Sequence, residues 1–331
     1  MDHQPPEISE MIESAPGPAP DVSVIIAAYN AEAFLHTAVD SALAQAADDL
    51  SIEIIIVDDA STDSTVTVAR ALRDRHEAVR VFQLATNGGP SAARNAGLDA
   101  ARGAWIAVLD ADDAFEAGHL PGLKAIGDGC QADIVLSNIG FYNPAAGTTG
   151  ESGLLWSSPG LPVAIDDYVR RAQPFTDAAD WGLLKPFFRR GFLARNAVRY
   201  PLHSRHGEDF LIIFDALCRG AKLMISPAPS YRYTTRESGW SRTQIDYRGQ
   251  VEQARALIAR DDVRTNAALV AALRSRVDAL DRWNALWLVN DCRQRRNFSA
   301  LFGAAASSRH VRAQIGKLAL GKTASMLGLG K

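Results

Sequence analysis

From Asp21 onward the chain alternates short, almost uniformly apolar runs with longer stretches in which apolar residues return every three to four positions. Val22-Ser23-Val24-Ile25-Ile26 and Ile52-Glu53-Ile54-Ile55-Ile56-Val57 are β-branched and too short for helices, so they predict strands, while residues 31–46 and 63–75 predict helices. The order is βαβα. Further strands are predicted at residues 79–84 and 105–109, flanking a helix over residues 90–101 whose Pro90 suits a first-turn position. Strands that are apolar at nearly every position are buried on both faces, which predicts a mostly parallel sheet. Ligands gather at the carboxyl ends of such strands, where this chain carries Ala27-Ala28-Tyr29-Asn30, Asp58-Asp59-Ala60-Ser61-Thr62-Asp63 and Asp110-Ala111-Asp112-Asp113.

The pattern changes after the fourth predicted strand. Residues 140–162, rich in Gly, Ser, Thr and Pro, read as a long loop or irregular hairpin. Helices are predicted over residues 165–171 and 208–219, and from about residue 247 the pattern is mainly helical, with no internal repeat. The first twenty residues hold Pro5, Pro6, Pro16, Pro18 and Pro20 among acidic and small residues; they lack the features of a signal peptide and read as a disordered tail. No apolar run approaches the roughly 20 residues of a membrane-spanning helix, so the chemistry is expected in the cytoplasm.

Composition narrows the field. A chain of 331 residues suggests one large domain plus an appendage. With 47% hydrophobic residues, 22% charged and a net charge of −3, it has no global attraction to nucleic acid, which is not expected as a partner. Cys130, Cys218 and Cys292 are too few and scattered for a disulfide framework or a cysteine zinc site, and read as buried small apolar residues.

The acidic tips carry the candidate chemistry. Asp110, Asp112 and Asp113 after an apolar strand would repel one another; a divalent cation, Mg²⁺ or Mn²⁺, held by one or two of them plus phosphate oxygens resolves the repulsion. The competing reading is a solvated acidic turn capping the next helix. A dehalogenase-type phosphatase would want Thr or Val where Ala114 stands. Thr62 or Asp63 suits a helix N-cap, whereas Asp58, at a strand tip, can accept hydrogen bonds from a base or a ribose, with Tyr29 beside it. Gly88-Gly89-Pro90 is a tight turn entering a helix and a candidate anion site, with Arg94 one turn in, able to pair with an acidic tip or with phosphate. The absence of G-x-G-x-x-G after the first strand and of any G-x-x-x-x-G-K-[ST] disfavours dinucleotide dehydrogenases and P-loop ATPases.

Taken together, VSVIIAAYNA (22–31), IIIVDDASTD (54–63), NGGPSAARNAG (87–97) and WIAVLDADD (105–113) resemble, in order and spacing, the signature segments of family 2 inverting glycosyltransferases with the GT-A fold. The resemblance implies a metal-dependent enzyme using a UDP-sugar donor. It implies that Ala28, Tyr29 and Asp58 border the nucleoside, that Arg94 supports the nucleotide pocket, and that Asp110, Asp112 and Asp113 hold the sugar nucleotide through Mn²⁺ or Mg²⁺, with Asp110 and Asp112 the matched D-x-D pair. His206-Gly207-Glu208-Asp209-Phe210 resembles the family's Glu-Asp motif, which makes Asp209 the general base; taken alone, the same residues fit an acidic first helical turn. Residues 231–242 resemble the segment that closes the active site, where Arg236 or Arg242 would neutralise the diphosphate. Residues 182–190, GLLKPFFRR, with the Glu-Asp motif, most resemble glucosyltransferases of succinoglycan-type exopolysaccharide assembly.

The expected architecture is therefore an α/β GT-A domain over residues 21–245, with a nucleotide-sugar half (21–140) and an acceptor half (141–245), after a tail (1–20) and before a helical C-terminal extension (246–331). After Asp291 the extension has no acid but has Arg293, Arg295, Arg296, Arg309, Arg312 and three lysines among Leu, Phe and Ile. Residues 292–331 read either as a basic amphipathic contact with the inner face of the membrane or as a helical cap. The expected reaction is hexose transfer, with glucose from UDP-glucose as the donor sugar, to a lipid-linked or growing polysaccharide acceptor. The rivals are a sugar-1-phosphate nucleotidyltransferase, which wants a Gly-rich basic loop where Ala-Ala-Tyr-Asn stands, and a sugar-nucleotide-binding assembly subunit without catalysis.

Overall fold

A computed structural model describes residues 8–12, 18–152, 160–174, 180–202, 204, 206–235 and 247–326. The chain divides into two compact units, one of Met1–Ala172 with Asp177–Thr243, the other of Gln173–Thr176 with Gln244–Lys331.

The first unit is built on one mixed sheet. Its strands are β1 (Ile8–Ile12), β2 (Val22–Ala28), β3 (Ile52–Asp58), β4 (Val79–Leu84), β5 (Trp105–Asp110), β6 (Ala114–Phe115), β7 (Ile134–Asn143), β8 (Thr148–Ser152), β9 (Lys185–Arg189) and β10 (Leu223–Thr234). Among the described residues their order is β1-β4-β3-β2-β5-β9-β7-β10-β6, with β8 beside β7. The block β4-β3-β2-β5 is parallel, as the apolar runs predict, and its helices are α1 (Leu35–Leu43), α2 (Thr65–Arg75) and α3 (Pro90–Ala100). Helix α3 lies close on β2: a Cβ at Gly97 would collide with the Ile25 side chain, so a glycine is required there.

Register explains why the three tips converge. Ala28 of β2 is opposite Asp58 of β3, and Ala27 is opposite Asp110 of β5, so the strands end level with one another. Beyond β5 the sheet turns mixed, because β9 runs antiparallel between β5 and β7 while β7 and β10 are parallel. Helices α4 (His119–Gly129), α5 (Ile165–Arg171), α6 (Arg190–Arg195) and α7 (Glu208–Cys218) complete this unit.

Two expectations change and a third is narrowed. The N-terminal tail contains β1, which pairs antiparallel with β4, since an open sheet edge offers unpaired backbone groups to any extended segment. Of the two readings of residues 140–162, the irregular hairpin holds at its start: the end of β7 turns back through β8, and residues 153–159 lie outside the described residues. Helix α2 is capped by Ser64 without a side-chain bond; Asp63 Oδ1 instead accepts from the Thr65 N–H at 2.9 Å, and the Thr62 N–H donates to Asn30.

The second unit is helical: α8 (Tyr247–Ile258), α9 (Asp261–Arg264), α10 (Ala267–Gln294), α11 (Phe298–Ser307) and α12 (Arg309–Met326). Asn266 and Asn297 cap α10 and α11 through their side-chain oxygens. Val251 and Ala254 of α8 pack on Leu280, and Val311, with Leu301 and Ile315, packs on Ala285 and Val289. Among the described residues no helix is long and apolar enough to cross a membrane.

Candidate active site

The candidate nucleoside edge is formed by the tips of β2 and β3. Asn30 takes a left-handed turn (φ 49°), and its side-chain oxygen accepts from the Thr62 N–H at 2.9 Å while its own N–H donates to Ser61 Oγ at 3.0 Å. This clasp leaves Tyr29 outside, 45% exposed. Ala28 is buried and its carbonyl accepts from the Asp59 N–H, so it supports the tip and offers no surface to a ligand. Asp58 is fully buried; Oδ2 accepts from the Ser61 N–H at 3.2 Å, and Oδ1 has no hydrogen-bond partner among the described residues. A buried acceptor without a donor is costly, and a ligand N–H or O–H would satisfy it.

The glycine turn is not an open anion site. Asp59 Oδ1 and Oδ2 accept from the Gly88 and Gly89 N–H groups, both at 2.8 Å, so the anion at the start of α3 is the protein's own carboxylate. Burial, aided by the neighbouring Asp58 charge and opposed by those two N–H groups, pushes Asp59 up to about 6.

Past the turn, Arg94 enters a closed ring of alternating charge. Arg94 Nη2 lies 2.8 Å from Asp110 Oδ1, and Arg94 Nη1 lies 2.8 Å from Glu208 Oε1 and 3.5 Å from Asp209 Oδ1. Lys185 Nζ closes the ring, 2.7 Å from Asp110 Oδ2 and 3.1 Å from Asp209 Oδ2. Tyr200 Oη donates to Asp209 Oδ1 at 3.2 Å, and Asn95 fixes the Tyr200 backbone through a reciprocal pair of bonds. The members come from α3, β5, β9, the segment after α6, and the first turn of α7, which Gly207 opens with φ 77°. Burial disfavours every charge here, but the pairing outweighs it: Lys185 and Arg94 hold Asp110 well below the usual carboxylate range, and Asp110 and Asp209 hold Lys185 firmly as an ammonium. Burial and the nearby Asp209 charge keep the Tyr200 phenol protonated, as a donor to that carboxylate.

Beside the ring is the acidic tip. Asp113 is buried; Tyr231 Oη donates to its Oδ2 at 2.8 Å and the Thr234 N–H donates to its Oδ1 at 2.8 Å. The Asp110 N–H donates back to Tyr231 Oη, tying β5 to β10. His119, pushed down to about 3 by burial, stacks on Phe115 as a neutral ring and meets Tyr231 edge-on. Burial, then the Asp110 and Asp112 charges, pushes Asp113 well above the usual carboxylate range. A divalent cation beside this tip would favour its ionised form. Asp110 and Asp113 each already meet a protein partner at both oxygens, whereas Asp112 is exposed; Asp112 and Asp113 both line a cavity of about 200 Å³ with Tyr142 and Arg232. Among the described residues no three His, Cys, Asp or Glu groups form a metal cage, so a cation here would take most of its ligands from substrate and water, as Mg²⁺ commonly does.

The structure thus brings Arg94, Asp110 and Asp209 into one network, sets Asp112 and Asp113 next to it, and puts Tyr29 and Asp58 on the neighbouring tips. Sequence reasoning missed Lys185, Tyr200, Tyr231 and the role of Asp59. Arg236 and Arg242 lie outside the described residues.

Comparison with known proteins bears on the family and the fold. The model of the family described as Glycosyl transferase family 2 matches residues 23–192. The succinoglycan biosynthesis protein ExoO of Rhizobium meliloti (strain 1021) is 33% identical over 73% of this chain and 67% of its own length. ExoU of the same organism is 33% identical over 86% of this chain and 82% of its own length. The crystal structure of S. aureus TarS 1-349 in complex with UDP-GlcNAc has the same fold, with a TM-score of 0.61 at 23% identity, covering 77% of this chain and 72% of that one.

Proposed function

The chain belongs to glycosyl transferase family 2 and is a hexosyltransferase, and from that premise we propose that it moves glucose from UDP-glucose, with inversion, onto a lipid-linked or growing saccharide. The observation that carries the reading is the charge ring, which joins a donor-side carboxylate, Asp110, to a second buried carboxylate, Asp209, through Lys185 and Arg94. A UDP-sugar donor is supported by the unpartnered Asp58 Oδ1 and by the fold shared with a protein solved with UDP-GlcNAc. A polysaccharide acceptor is supported by the two relatives named for succinoglycan biosynthesis.

In this reading Tyr29 and Asp58 bind the nucleoside, and Asp112 holds the divalent cation. When bound, Mn²⁺ or Mg²⁺ would offset the charge that develops on the leaving diphosphate. Arg94 and Lys185 keep Asp110 ionised and the ring rigid. Asp209 acts as the base: a carboxylate has about four acceptor positions, Tyr200 and Lys185 hydrogen-bond to two of them and Arg94 approaches Oδ1 at 3.5 Å, which leaves capacity for the acceptor hydroxyl. As that hydroxyl oxygen bonds to the anomeric carbon, its proton passes to Asp209 and the bond to the diphosphate breaks, the electron pair leaving with the diphosphate. No covalent enzyme intermediate is involved.

The C-terminal unit fits a peripheral membrane role. Leu301 and Ile315 pack inward, while Trp287 and Phe302 are exposed, 41% and 75%, on a unit whose Arg293, Arg295, Arg296 and Arg312 also face solvent. The test of the whole reading is incubation of the protein with radiolabelled UDP-glucose, Mn²⁺ and membranes from an exopolysaccharide-producing bacterium. Label is expected in the solvent-extractable lipid fraction; label that stays wholly in nucleotide and free sugar, or that appears only from another nucleotide sugar, rejects the donor or the acceptor assignment.

A further inference from the structure

We propose that Lys185 is a positioning residue, whose ammonium sets the orientation of the Asp209 carboxylate against the Asp110 tip. The proposal rests on the reading of Asp209 as the proton acceptor. Lys185 belongs to neither carboxylate's element: it opens β9, the strand inserted antiparallel between β5 and β7. Its backbone is fixed from both sides, because Ser137 Oγ donates to the Lys185 carbonyl at 3.0 Å and Phe187, two residues on, stacks on Trp105 with ring centroids 4.7 Å apart. The side chain, 8% exposed, then reaches Asp110 Oδ2 at 2.7 Å and Asp209 Oδ2 at 3.1 Å.

Two contacts define the plane of the Asp209 carboxylate, Tyr200 Oη on Oδ1 and Lys185 Nζ on Oδ2. Arg94 adds only a 3.5 Å approach to Oδ1, the same oxygen that Tyr200 holds. Without Lys185 the carboxylate is held at one oxygen, is free to rotate about it, and faces the Asp110 charge with only Arg94 between them. A base displaced by an ångström loses on the order of a hundredfold in rate even when substrate binding survives. Lys185 therefore acts on turnover through Asp209, while the nucleoside edge, built from other residues, keeps its affinity.

The experiment uses the full chain with UDP-glucose and Mn²⁺, water serving as acceptor, and compares Lys185→Met, Lys185→Arg, Asp209→Asn and the double variant Lys185→Met/Asp209→Asn. Hydrolysis kinetics are paired with calorimetric UDP affinity. Lys185→Met is expected to lower kcat about thirtyfold with KM and UDP affinity within about threefold, and the double variant to be no slower than Asp209→Asn alone. Because Lys185→Met leaves the buried Asp209 and the half-buried Asp110 carboxylates facing each other and can fail to fold, Lys185→Arg is the second test: it keeps the charge but shifts its point of contact, and a lowered kcat at unchanged KM is expected. Wild-type kcat in Lys185→Arg, or effects of Lys185→Met and Asp209→Asn that multiply in the double variant, overturn the role of Lys185 alone. Full hydrolysis by Asp209→Asn, or none by the wild type, instead rejects the reading on which the role rests.

Discussion

The proposed nucleoside edge and the charge ring lie at the ends of adjoining strands, yet they are built in opposite ways. At the edge, carboxylates are answered by backbone N–H groups and one buried oxygen, Asp58 Oδ1, is answered by none of the described residues. In the ring, Asp110 and Asp209 each meet both Arg94 and Lys185 within 3.5 Å. An incomplete site gains free energy when its ligand arrives; a complete one has its geometry set beforehand. Changes at the edge should therefore appear in affinity, and changes in the ring in rate.

The largest effect is expected in the ring. Asp209→Asn keeps size and much of the hydrogen bonding but cannot take a proton, so transfer should fall at least about a hundredfold under saturating donor. Next comes the acidic tip, between the two regions: Asp112→Ala should weaken Mn²⁺-dependent UDP binding by some ten- to a hundredfold, measured by calorimetry with metal and with chelator. At the edge itself, Asp58→Ala should cost roughly tenfold in UDP affinity, about one charge-assisted hydrogen bond, with kcat for bound donor retained. Equal losses of kcat in Asp58→Ala and Asp209→Asn would erase the distinction.

The smallest effect is a pH dependence. Asp59 is raised from its ordinary 3.8 to about 6, so between those values the folded protein binds a proton that the unfolded chain does not. For such a group the contribution to stability is full below the unfolded value and is lost as pH rises through about 6. Comparing Asp59→Asn with wild type cancels the other acids: lowering the pH from about 7.5 to about 5 should shift the Tm difference by a few degrees in favour of the wild type. A constant difference across that range would show that Asp59 does not titrate there.

The same contrast decides what was legible in the sequence. The edge and the acidic tip are contiguous turns after apolar strands, so Tyr29, Asp58 and Asp110 to Asp113 could be found from local pattern, and register alone brings them together. The ring is made by single residues at 94, 110, 185, 200 and 209, and a lone Lys185 or Tyr200 carries no local mark of burial between acids. Asp209 was reachable only through the resemblance of its motif. Strands β9 and β10 escaped notice because Pro186, Pro227 and Pro229 interrupt them, and β1 because its neighbourhood is rich in proline. The partners that set the carboxylates of the acidic tip apart, Lys185, Tyr231 and Thr234, are distant in sequence, and no spacing rule supplies them.

The most direct test of the division between edge and ring is calorimetric titration of UDP, with Mn²⁺ present, into Asp209→Asn. The account predicts a Kd within about threefold of wild type in a protein that no longer transfers sugar. A loss of tenfold or more in UDP affinity would contradict it, making the ring part of the donor site and moving the base elsewhere.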